Sequence, residues 1–177
     1  MQRSLVMTVI GEDRPGLVDS VSSLVAEHGG NWLESRMARL GGQFAGIVHV
    51  MVPADAEAEL VEALKTLHAV GLNVIVHSDH PRDSLAGRPA SVLEIVGQDR
   101  PGIVQQISHT LATFGVNVEE LNSECVSAAM SGEMLFKARA KLSIPESCNV
   151  VELRHKLEKI AADLIVEISL VPEQAAN

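Results

Sequence analysis

The chain of 177 residues carries 14 lysines and arginines against 23 aspartates and glutamates, a formal net charge of -9. No run of basic residues interrupts this acidic balance, which disfavours direct binding to nucleic acid because such binding needs a basic patch or stripe. Hydrophobic residues make up 46% and aromatic residues only 2% of the chain. A globular protein with an aliphatic core is therefore expected, and a disordered chain is excluded.

The cysteine content and the length of the apolar runs indicate the cellular compartment in which the protein is expected. Cys125 and Cys148 are the two cysteines, and they do not have the close spacing of a metal site. Lone cysteines fit a reducing cytoplasm. No apolar run is long enough to cross a bilayer, and the N-terminus has no signal-peptide pattern. We therefore expect a soluble, cytoplasmic protein that binds no membrane.

An internal repeat dominates the sequence. The stretch Gly11–Val18, GEDRPGLV, returns 86 positions later as Gly97–Val104, GQDRPGIV. One offset kept without a gap over the first half of each copy indicates a duplicated domain. The same offset relates Gly29 to Gly115, Asn31 to Asn117 and Gly46 to Gly132.

Apolar periodicity in the first copy predicts the order strand, helix, strand, strand, helix, strand. Glycines end both helices, because glycine takes the left-handed cap conformation at little cost. The predicted strands are Leu5–Ile10, Asn31–Leu40, Phe44–Val52 and Leu72–His77; one helix runs from Pro15 to Gly29 and the other from Pro53 to Gly71.

The second copy repeats this order. A polar stretch rich in proline and glycine, 81–89, separates the copies and is predicted to be a linker. Domains are therefore expected at 1–80 and 90–171, with a frayed tail at 172–177. The predicted strands are Ser91–Val96, Asn117–Val126, Glu133–Ser143 and Leu164–Val171; the helices are Pro101–Phe114 and Cys148–Ala162, the latter buried through Val150, Leu153, Leu157 and Ile160.

The order of elements predicts an α+β fold of two tandem ferredoxin-like βαββαβ units. Right-handed crossovers place both helices on one face of a four-stranded antiparallel sheet. The other face is only partly apolar, as the alternation Val6, Thr8, Ile10 indicates. The sister unit or another copy of the chain is the simplest cover, so a homo-oligomer is expected.

The repeated turn is the strongest candidate for a function. In each copy we expect the proline at the first helical position, the preceding arginine as N-cap, and the following glycine keeping bulk away from the helix start. Free backbone N–H groups and the positive end of the helix dipole could hold a small anion there. The alternative is a turn that only starts a helix. The residues concerned are Arg14, Pro15 and Gly16 in the first copy and Arg100, Pro101 and Gly102 in the second.

With an asparagine opening the second strand of each copy, the doubled turn on its βαββαβ frame resembles the ACT domain, an amino-acid-sensing regulatory module. Two such units with no enzyme or DNA-binding domain attached resemble the glycine cleavage system transcriptional repressor family. The resemblance implies a non-enzymatic regulator without a cofactor. It would respond to a small amino acid, with glycine favoured, and contact a DNA-binding transcriptional activator. A regulatory subunit of an amino-acid metabolic enzyme is the alternative.

The resemblance also implies binding residues, because the effector of ACT domains commonly lies between adjacent units, near the first turn and the start of the second strand. Backbone N–H groups of the turn would hold a carboxylate, and the asparagine amide can both donate and accept. The aspartate could instead stabilise its own turn, and the arginine could be solvated. The copies are not identical, so one site could bind while the other only packs. The implied residues are Asp13, Arg14, Gly16, Leu17 and Asn31, and Asp99, Arg100, Gly102, Ile103 and Asn117.

Three other patterns are weaker. The glycine spacing of Gly11 and Gly16 matches a P-loop, but the Lys-Ser/Thr pair that follows in a P-loop is missing, so nucleotide binding is not expected. The stretch 77–80, HSDH, offers potential metal ligands, yet it lacks further clustered ligands and is interpreted as polar linker. No Ser/Cys-His-Asp set is brought together by periodicity, although folding could still assemble one.

Overall fold

A computed structural model describes residues 1–78, 90–128 and 132–172. The chain divides into two compact units, Met1–Arg82 and Asp83–Asn177. The predicted linker 81–89 and residues 173–177 of the predicted tail lie outside the described residues, so the predicted domain limits stay a prediction. Pro172, placed in the tail from sequence, instead ends the last strand.

Unit 1 is a four-stranded antiparallel sheet with two helices. The strands lie in the order β2-β3-β1-β4, so the first and third strands pair at its centre. A short 3₁₀ helix, Leu67–Val70, continues the second helix. The elements are β1 (Gln2–Glu12), α1 (Leu17–Glu27), β2 (Asn31–Leu40), β3 (Gln43–Pro53), α2 (Glu57–Thr66) and β4 (Leu72–Ser78).

Unit 2 repeats the topology with the strand order β6-β7-β5-β8. Each described unit thus has the ferredoxin-like order, and the predicted fold class is confirmed. The second strand of each unit carries a bulge at the same place of the repeat, at Leu33 and at Glu119. The elements are β5 (Ala90–Gln98), α3 (Ile103–Thr113), β6 (Asn117–Ser127), β7 (Met134–Ser143), α4 (Val150–Leu164) and β8 (Val166–Pro172).

Alternation along the central strand builds the core of unit 1. Leu5, Met7 and Val9 point to the helices and are buried, while the residues between them point away. They pack with side chains of α1 and α2, such as Val21 and Leu64. Each such side chain contributes about 1.5–3 kcal/mol when fully buried. The opposite side of each sheet, facing away from that unit's own helices, we call the open face.

The core side of helix α4 differs from the prediction at its first residue. Leu153 and Leu157 of α4 are buried as expected, but Val150 is 38% exposed. The reason is that Asn149 is the N-cap of this helix, its side-chain oxygen accepting from the Glu152 N–H at 3.2 Å. Val150 is therefore the first helical residue and lies at the margin of the core, whereas Leu164 at the other end is buried.

Candidate ligand-binding turns

The turn between the first strand and first helix has the same backbone in both units. Gly16 has a φ of 92° and Gly102 a φ of 94°, and each is the N-cap of the helix that follows. The prediction of the proline at the first helical position with the arginine as N-cap is therefore wrong. Each proline lies one residue before the N-cap, because the cap conformation has a positive φ that only glycine adopts readily.

The first helical turn presents free backbone donors. The Ser20 N–H and hydroxyl both donate to the Gly16 carbonyl at 2.9 Å, and no side chain caps the helix. Among the described residues, no acceptor engages the N–H groups of Leu17 or Val18. A Cβ placed on Gly16 would meet nothing within 4 Å. The turn therefore has both the donors and the open space that a carboxylate needs.

In unit 1 the side chains of the turn are occupied by the protein itself. The Asp13 N–H donates to the Gly42 carbonyl at 2.9 Å, and its carboxylate lies 2.7 Å from Nε of Arg39, on β2. The Arg14 guanidinium donates to the carbonyl of Val70. The Asp13 carboxylate thus has a partner within its own unit, through the ion pair with Arg39.

In unit 2 the corresponding aspartate has a different neighbour. The Asp99 N–H donates to the Met134 carbonyl at 2.9 Å, but the position of Arg39 is taken by Cys125. The side chain of Cys125 is exposed, yet loss of solvent around its sulfur raises the pKa of the thiol, and the charge and hydrogen bond of Asp99 raise it further. The neutral thiol donates a hydrogen bond to the Asp99 carboxylate. Arg100 reaches the Gln98 side chain at 3.0 Å.

The asparagines do not lie beside the turn of their own unit. Asn31 pairs with Met51, which pairs with Ser4 near the start of β1, whereas the turn follows Glu12 at the other end of that strand. Eight residues of strand separate these two levels, about 26 Å at 3.3 Å per residue. Asn117 is placed in the same way in unit 2. One unit therefore does not bring the turn and the asparagine together.

The first glycine of each motif has a packing role. A Cβ on Gly11 would lie 2.6 Å from the Gly71 carbonyl oxygen, and one on Gly97 would lie 2.6 Å from Cα of Val166. These glycines let the end of the central strand approach the start of the last strand closely. Their spacing from the N-cap glycine thus has a structural cause that does not involve phosphate.

Two residues at the turns were missed from sequence. Arg39 and Cys125 are related by the repeat offset, and each ends up against the aspartate of its turn. That offset was the signal that could have identified them.

A concavity of about 470 Å³ lies away from the turns, on the open face of unit 2, between side chains such as Glu94, Glu124 and Lys137.

Folding also brings together a serine and a histidine that periodicity did not. Ser4 Oγ and His49 Nε2 are 2.6 Å apart on the open face of unit 1. Ser4 lies within a paired strand, not on the sharp strand-to-helix turn that exposes a nucleophile. Within the described ranges no group of three or more His, Cys, Asp or Glu side chains is placed to hold a metal. Asp79 and His80 of the HSDH stretch lie outside those ranges.

Comparison with known proteins places these turns in a family. The family model of the ACT domain matches the chain twice, over residues 3–77 and 91–170. The glycine cleavage system transcriptional repressor of Escherichia coli is 24% identical over 96% of this chain and 90% of that protein. A crystal structure of an unknown protein from Galdieria sulphuraria superposes with a TM-score of 0.83 at 28% identity, covering 98% of this chain and all of that one.

A further relative is an enzyme. The phosphoserine phosphatase SerB2 of Mycobacterium tuberculosis is 23% identical over 94% of this chain but only 40% of its own length.

None of the helices in the described part of the chain is long and apolar enough to span a membrane. With two family matches that together cover most of its length, the chain belongs to the ACT domain family.

Proposed function

We propose that the protein is a non-enzymatic regulator that senses a small amino acid, with glycine the favoured effector. It passes the signal to a DNA-binding activator of glycine cleavage genes. The observation that carries this proposal is the similarity, along nearly the whole of both chains, to a glycine cleavage system transcriptional repressor. The net charge of -9 supports action through a protein partner rather than on DNA directly.

The chemistry of the turns supports amino-acid binding. An α-amino acid carries its carboxylate and its ammonium group on the same carbon atom, so its site needs hydrogen-bond donors beside an acceptor. The N–H groups at Ile103 and Val104 are suitable donors, because no described residue engages them. The Asp99 carboxylate is a suitable acceptor for the ammonium, since its neighbour Cys125 is a neutral thiol.

The two turns are not equivalent in this respect. Asp13 already has a cationic partner in Arg39, so it is less available to an ammonium group than Asp99. We therefore assign effector binding to the turn of unit 2, through Asp99, Gly102 and Ile103. Contact of the same effector with Asn117 requires that a second ACT unit supply one of the two groups, because they lie at opposite ends of the sheet in one unit.

Titration calorimetry on the full chain tests the sensing step. We expect saturable heat with glycine, and Cys125→Arg should weaken it at least about tenfold, because the new arginine would pair with Asp99 and displace a charge-assisted bond of about 1.5–3 kcal/mol. Arg39→Cys, the matched exchange in unit 1, should not weaken binding, because it leaves the turn of unit 2 intact and releases Asp13 from its cationic partner. No heat with glycine, serine or any other amino acid would remove the sensing step.

The partner is tested separately. A gel shift with DNA of the glycine cleavage promoter should show no complex with this chain alone, and a supershift when the activator is present. A change in the supershift when glycine is added, whether the supershifted complex becomes weaker or stronger, would link the two steps. A shift by the chain alone would contradict action through a partner.

A regulatory subunit of an amino-acid metabolic enzyme is the second candidate. It is favoured by the similarity to a phosphoserine phosphatase, in which the matching part is less than half of the protein. Purifying the untagged chain with its native partner discriminates between the two. An enzyme in the complex, whose rate depends on added chain, would favour this candidate over the activator.

A further inference from the structure

The open faces of the two units occupy equivalent positions of the repeat but differ in charge. Cross-strand register defines twelve equivalent positions in three rows of four on each face. In unit 1 only two of the twelve carry a formal charge, and both lie on the edge strand β2. The rows are Glu34, His49, Val6 and His77; then Arg36, Ile47, Thr8 and Ile75; then Ala38, Ala45, Ile10 and Asn73.

In unit 2 seven of the twelve equivalent positions are charged. The central row shows the contrast, since Glu94 and Arg139 stand where unit 1 has Thr8 and Ile47, with 3.8 Å between their charged groups. The rows are Glu120, Lys141, Val92 and Val171; then Asn122, Arg139, Glu94 and Ser169; then Glu124, Lys137, Val96 and Glu167.

We propose that the open face of unit 1 is an interface between two copies of this chain, packed face to face about a twofold axis. Apolar side chains on its other three strands are accessible: Ile47 is 56%, Ile75 57% and Ile10 42% exposed. Burying these side chains is favourable. Burying the seven charges of the other face would require desolvation that exposed ion pairs do not offset, so that face stays solvated.

The size of the face suits a dimer. The four strands are paired side by side along the stretch Leu5–Gly11 of β1, which is about 23 Å long. Across the strands, the three spacings add to about 15 Å. This rectangle covers about 350 Å², and a margin of about 5 Å on every side for the bordering side chains enlarges it to about 800 Å², the area that each partner contributes to a standard interface. A smaller contact would bind only weakly.

The charges at the edge fit a second copy of the same face. Two sheets that pack face to face keep their strands within about 30° of each other. With the twofold axis parallel to the strands, β2 of one copy lies over β4 of the other, and β3 lies over β1. Glu34 of one copy then faces His77 of the other, while Ile47 faces Thr8 and Arg36 approaches no like charge. The arrangement is self-complementary, as a twofold interface must be.

The repeat itself supplies the variant that tests this interface. Thr8→Glu with Ile47→Arg copies the Glu94–Arg139 pair of unit 2 into the equivalent positions of unit 1, where the same fold already accepts that pair. The matched control, Glu94→Thr with Arg139→Ile, makes the reverse exchange in unit 2. Both double variants keep the total charge of the chain.

Sedimentation equilibrium of the full chain, from about 1 to about 200 μM, measures the outcome. We expect the parent chain and the unit 2 control to be dimers, and the unit 1 variant to dissociate at least about 100-fold more readily. Circular dichroism of the unit 1 variant should match the parent. A monomeric parent chain, or equal dimerisation of both double variants, overturns the proposal. Because no effector is involved, either result leaves the amino-acid sensing step untouched.

Discussion

At the level of the single residue, Gly11 and Gly16 of the repeated turn are needed for different reasons. Gly11 has an ordinary backbone, but a Cβ there would meet the Gly71 carbonyl oxygen at 2.6 Å. Gly16 has open space around it but a φ of 92°. Sequence alone shows two glycines five residues apart and cannot distinguish crowding from conformation, because crowding depends on where β4 passes.

Alanine substitutions separate these two causes. Gly11→Ala should lower the free energy of unfolding by about 1–3 kcal/mol through crowding of β4. Gly16→Ala should lower it by about 1–2 kcal/mol through backbone strain. Urea denaturation measures both. Gly16→Asn is the diagnostic control, since asparagine tolerates a positive φ and should recover part of the loss. Gly11→Asn should recover none, and recovery there would contradict the crowding argument.

At the level of the secondary-structure element, the helices differ in whether a side chain caps their N-terminus. Helices α1 and α3 begin after a glycine without any side-chain cap, which leaves their first N–H groups free. Helix α4 instead begins at a capping asparagine, Asn149, with Glu152 at the third helical position. Capped donors serve stability, whereas uncapped donors at a repeated turn remain available to a ligand.

The capped helix gives a prediction on stability. Asn149→Ala should lower the free energy of unfolding by about 1 kcal/mol, because the Glu152 N–H loses its acceptor. Asn149→Asp should keep most of the stability, since aspartate is an equally good cap. Thermal or urea denaturation of the full chain measures the difference. An alanine variant as stable as the parent chain would contradict the role of this cap.

At the level of the whole molecule, each unit has its own core. The buried side chains form one cluster in unit 1 and another in unit 2, and neither cluster shares a residue with the other. Two separate cores in one chain mean that a cavity made in one core is felt first by the strands that line it. The cysteines take no part in either cluster of buried residues, although Cys148 packs against the second.

Hydrogen exchange tests the separation of the cores. Leu64→Ala should cost unit 1 about 2–5 kcal/mol and lower the protection of the β1 and β3 amides. Leu153→Ala is the matched change and should act on β5 and β7, because Leu64 and Leu153 are both fully buried, each in its own core. If either variant lowered protection equally in both units, the two cores would not be energetically distinct.

The sequence by itself determined the duplication, the order of strands and helices and the place of the turn. These features depend on periodicity and on glycine and proline, which act locally. Strand β2 was predicted with its observed limits, Asn31–Leu40. Only the tertiary structure decided that Asp13 faces Arg39 while Asp99 faces Cys125, that each asparagine lies at the far end of its sheet, and that the two open faces differ in charge. Those facts depend on which strands pair and in what register, and pairing joins residues that are distant along the chain.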